Sequence, residues 1–86
     1  MSDRASPEVL AILREVLQKQ IAANDPPETG VTFSRLRHEG IDEDRVWRLL
    51  SAVLLQEMSV MIAENRPFDR QGYVDALGRL PELTDR

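Results

Sequence analysis

Apolar residues recur at three- and four-residue spacing near the start of the chain, which predicts an amphipathic helix over about residues 7 to 23. Ser6, Pro7 and Glu8 form a typical helix start, with a hydroxyl cap, a proline in the first turn and an acid near the positive helix end. Asn24 is expected to end this helix. Its apolar positions are Val9, Leu10, Leu13, Val16, Leu17 and Ile21, with Ile12 at one edge.

The segment that follows has two interpretations. Asp25 and Glu28 form a plausible capping box with proline in the first turn, which predicts a helix from about residue 26 to 39. Alternatively, Gly30 breaks that helix, Thr32 is the cap, and the helix covers only about residues 33 to 39. We favour the longer version. Gly40 ends the helix in both.

The third predicted helix is the most apolar segment. Asp42 is its expected cap, and the helix extends over about residues 43 to 64. Apolar side chains cover at least half of its circumference, so we expect neighbouring helices on more than one side. A fourth helix is predicted after its cap Asp69, with Tyr73 and Leu77 on its buried face, and Pro81 ends it.

These elements predict an all-α fold, a single domain of four helices packed around a long central third helix. The chain of 86 residues is of single-domain size, and its 42% hydrophobic content is ordinary for a globular protein. The domain is expected to span residues 1–86, with flexible tails at about residues 1–5 and 82–86.

Charge and composition narrow the function classes. The net charge of −4 disfavours a nucleic-acid partner, because such domains need a surplus of clustered cations. Cysteine is absent, which fits a reducing cytoplasm. No uninterrupted apolar run, Ala52 to Leu55 among them, is long enough to span a membrane. His38 is the only histidine, so we expect no metal site, and no glycine pattern indicates a cofactor.

Glu57 is the one conspicuous candidate for chemistry. It lies near the middle of the apolar arc of the third helix, one turn after Val53 and one before Met61. A buried carboxylate must find a cation, accept hydrogen bonds or stay protonated. One interpretation is a proton-handling or ligand-anchoring acid in a pocket. The other, which we favour, is a structural contact with Arg35, Arg66 or the Tyr73 hydroxyl, or partial exposure where the bundle is thin.

A family resemblance is carried by Arg35-Leu36 with Glu39-Gly40, and by Arg66-Pro67-Phe68-Asp69 followed by Tyr73, Leu77 and Leu80-Pro81. The chain resembles a bacterial family of small helical proteins of uncharacterised function, with RL-x-x-EG and RPFD-x-x-Y-x-x-x-L-x-x-LP motifs, over roughly residues 25 to 81. These are mostly cap, turn and core positions. Members of the family often have a histidine early in the long helix, where this chain has Arg48. The resemblance implies a fold and no activity.

The leading functional prediction is a non-catalytic cytoplasmic module for protein–protein interaction or self-association, with a protein partner or a homodimer. Its candidate surface is a strip of the third helix formed by Leu55, Met58 and Ile62, which helix two has too few apolar residues to cover. The alternative is a small-molecule-binding or catalytic domain that uses Glu57 in a pocket.

Overall fold

The computed structural model describes residues 6–83, which form four α-helices and contain no strand. The helices are α1 (Pro7–Ala23), α2 (Pro27–His38), α3 (Glu43–Ala63) and α4 (Arg70–Arg79). The predicted all-α fold with a long third helix is therefore confirmed. Residues 1–5 and 84–86 of the predicted tails lie outside the described residues, and Glu82 forms a turn that follows α4 through a bond from its amide to the Arg79 carbonyl oxygen.

Three of the four helices begin at the cap that the sequence predicts. Ser6 Oγ accepts a hydrogen bond from the Val9 amide at 3.2 Å. Asp42 Oδ1 accepts one from the Arg45 amide at 3.0 Å. Asp69 Oδ1 accepts one from the Gly72 amide at 2.9 Å. Each bond satisfies one of the backbone donors that a helix leaves without a partner in its first turn.

The start of α2 combines a correct and a wrong prediction. The helix has the longer of the two predicted extents, so Gly30 lies inside it. The capping box is wrong, because the residue at the cap position is Pro26 and no side chain caps the helix there. The Asp25 carboxylate instead lies 3.2 Å from the Arg70 guanidinium at the start of α4. A longer-range ion pair has replaced the local capping bond.

A residue with left-handed backbone lies just after each of the first three helices. Asn24 follows α1 with φ 55°, Gly40 follows α2 with φ 93°, and Asn65 follows α3 with φ 51°. Glycine and asparagine tolerate this conformation better than other residues do, which explains why these types stand at the helix ends.

Helix α3 contacts each of the other three helices, as its apolar circumference predicts. Helix α2 also contacts all three, although it is poor in apolar residues. Its buried residues are two threonines, Thr29 and Thr32, and one leucine, Leu36. The apolar core is formed by Leu13, Leu17, Leu36, Val46, Trp47, Leu49, Leu50, Val53, Leu54, Tyr73, Ala76, Leu77 and Leu80.

Trp47 is a core residue with a specific set of neighbours. Its ring centroid lies 4.9 Å from that of Phe33, and the guanidinium carbon of Arg14 lies 4.8 Å from it on the α1 side. The indole N–H donates to Glu43 Oε2 at 3.2 Å. Trp47 therefore joins α1, α2 and α3.

Candidate functional site

Glu57 lies within the bundle and is only 2% exposed. Its carboxylate lies next to the start of α4, as the distances around Gly72 show. A β-carbon added to Gly72 would lie 3.4 Å from Glu57 Oε1 and 2.6 Å from Asp69 Oδ2. Two carboxylates therefore approach the first turn of α4, where the backbone amides carry partial positive charge. This helix end provides a physical reason for an acid at this buried position.

The three predicted partners of Glu57 each make other contacts. Arg35 binds the end of α4, and the Arg66 guanidinium lies 3.0 Å from Glu64 Oε1. The Tyr73 hydroxyl donates to Gln20 Oε1 at 2.9 Å. These contacts show what holds the three side chains, and the role of Glu57 in binding stays a prediction.

A buried polar cluster joins α1, α2 and α4. Gln20 Oε1 accepts hydrogen bonds from Thr29 Oγ1 at 2.8 Å and from the Tyr73 hydroxyl at 2.9 Å. The two hydroxyl oxygens are 3.4 Å apart. Burial raises the pKa of the Tyr73 hydroxyl above its ordinary value of 10.0, and the hydrogen bonds with Thr29 and Gln20 act in the opposite direction. The hydrogen bonds give both hydroxyls and Gln20 Oε1 protein partners, which allows these polar groups to lie at the junction of three helices.

Arg35 connects α2 to the end of α4. Its guanidinium donates to the carbonyl oxygens of Leu80 at 2.9 Å and Leu77 at 3.1 Å, and it also donates to Glu39 Oε2 at 3.2 Å. A cation at the carboxyl end of a helix satisfies carbonyl groups left without partners and matches the negative helix end. Arg35 of the RL-x-x-EG motif thus makes a structural contact with the end of the RPFD-x-x-Y-x-x-x-L-x-x-LP motif.

The predicted strip of α3 is only partly exposed. Leu55 and Met58 are half-buried and pack against the core, whereas Ile62, in the last turn of α3, is 72% exposed. Ile62 also lines a shallow surface concavity with Met61, Asn65, Arg66 and Pro67.

A second concavity lies at the other end of α3. It is lined by Asp42, Asp44, Arg45, Arg48, Leu49 and Leu83. Glu57 lines neither of the two concavities. The alternative function of a ligand pocket with Glu57 in its wall therefore gains no support from them.

The residues considered for metal or acid–base chemistry lie apart. His38 and Arg48 are both exposed, and Arg48 lies 3.0 Å from Asp44 Oδ2 in an ion pair on the surface of α3. Among residues 6–83 no group of three potential metal-ligating side chains is present.

A further apolar surface was missed by the sequence reasoning. Val9 and Val16, two of the apolar positions of the predicted helix, are 37% and 39% exposed, and Ile12 is 60% exposed. We call these three residues the α1 stripe. Leu13 and Leu17 form the buried face instead. The position of Ile12 at the edge of the predicted apolar face was the available signal, since the apolar arc of α1 is wider than its neighbours cover.

Helix α3 is also long and apolar enough, by length and composition alone, to cross a membrane. The prediction of no membrane partner considered uninterrupted apolar runs only. In the fold, 44% of the relevant window of α3 is buried against the rest of the chain. A core helix gives the same signal as a membrane span, so this is weak evidence for a membrane.

Comparisons with protein-family models, with curated proteins and with solved structures give no significant match. The family resemblance carried by the two motifs therefore stays a prediction.

Proposed function

We propose that the domain is a non-catalytic cytoplasmic module for protein–protein interaction that works by self-association. The observation that carries the proposal is the exposure of large aliphatic side chains. Ile62 on α3 is 72% exposed, and on α1 Ile12 is 60% exposed beside Val9 and Val16, which are 37% and 39% exposed. Isolated exposed apolar residues are common, but neighbouring ones along a helix are typical of a surface that another protein covers.

Two surfaces support this proposal, the α3 strip and the α1 stripe. The α3 strip includes one strongly exposed residue, Ile62, beside a concavity that could receive an apolar side chain of a partner. Leu55 packs against the core, so its substitution by glutamate would disturb folding as well as association. Ile62 is therefore the better residue for a test of the strip.

Sedimentation equilibrium over a wide range of protein concentrations tests the proposal. The mean mass of the protein is expected to rise with concentration from that of a monomer of 9.8 kDa. Ile62→Glu tests the α3 strip, and Ala63→Glu, at an exposed neighbouring position, is the matched control for added charge. A mass of one monomer at every concentration would contradict self-association.

A further inference from the structure

We draw no further inference here: the strongest candidate, the exposed α1 stripe of Val9, Ile12 and Val16 on one side of α1, carries none because nothing in the structure shows what covers it.

Discussion

The two faces of α1 each contain an exception to the usual distribution of polar and apolar side chains, a polar residue inside and aliphatic residues outside. The inner face includes Leu17, which is fully buried, and Gln20, which binds Thr29 and Tyr73 inside the bundle. The outer face exposes Ile12 and the two valines of the α1 stripe. Burial in α1 therefore depends on which positions the neighbouring helices cover. The polar Gln20 side chain is accommodated inside because it has hydrogen-bond partners.

Truncation of one aliphatic side chain on each face should give the largest difference between the two faces in the free energy of unfolding. Leu17→Ala should lower the free energy of unfolding by about 3 kcal/mol, because it leaves a cavity in the core. Ile12→Ala should change it by less than about 0.5 kcal/mol, as exposed positions usually do. Urea unfolding measured at a concentration where the protein is monomeric compares them. Equal losses would mean that Ile12 is covered within the monomer.

Arg35→Met removes a contact between α2 and α4 while keeping most of the side-chain volume. We expect a loss of about 2 kcal/mol, because two carbonyl oxygens at the end of α4 lose a charged donor. Arg37→Met is the control on the same helix, since Arg37 is exposed and donates only to the nearby Ile41 carbonyl oxygen in the described contacts. Thermal unfolding of both variants gives the comparison, and equal effects would refute a specific role for Arg35.

Thr29→Val tests whether the buried polar cluster stabilises the inner face. The substitution keeps the shape of the side chain and removes one of the donors to Gln20 Oε1. A loss of about 1.5 kcal/mol in the free energy of unfolding is expected. A more stable variant in urea would show that an apolar contact serves better at this junction of helices.

The helix caps lie outside this comparison and should have local effects. Asp42→Ala and Asp69→Ala should each cost about 1 kcal/mol, because each removes the acceptor for an amide in the first helical turn. Asn at either position should restore most of the loss, since its side chain also caps helices. Urea midpoints unchanged by the alanine substitutions would contradict these assignments.

Tyr73 makes the stability of the folded protein depend on pH at alkaline pH, and this dependence is absent at neutral pH. Because its pKa is raised in the folded state, the unfolded chain releases the phenol proton first as pH rises. The contribution of Tyr73 to stability is therefore complete below pH of about 10 and is lost as pH rises through the folded-state pKa. Tyr73 is the only tyrosine, so the ultraviolet absorbance of tyrosinate reports it alone. Ionisation of the folded protein at the ordinary pKa would contradict its burial.

The helices and most of their ends can be predicted from the sequence. Caps such as Asp42 and end residues such as Gly40 act within one turn of backbone, so their effect is local and can be read from neighbouring residues. The apolar circumference of α3 also predicted its contacts with the other helices, because a helix of that composition needs partners on several sides.

Which apolar positions are covered depends on how the helices pack, and this cannot be predicted from the local sequence. Val16 and Leu17 are adjacent and similar in hydrophobicity, yet one is exposed and the other buried. Likewise Asp25 pairs with Arg70 instead of capping α2, and Thr29 is buried because Gln20 and Tyr73 meet it. These outcomes depend on residues distant in sequence, and their geometry is set by how the helices cross, which no local pattern encodes.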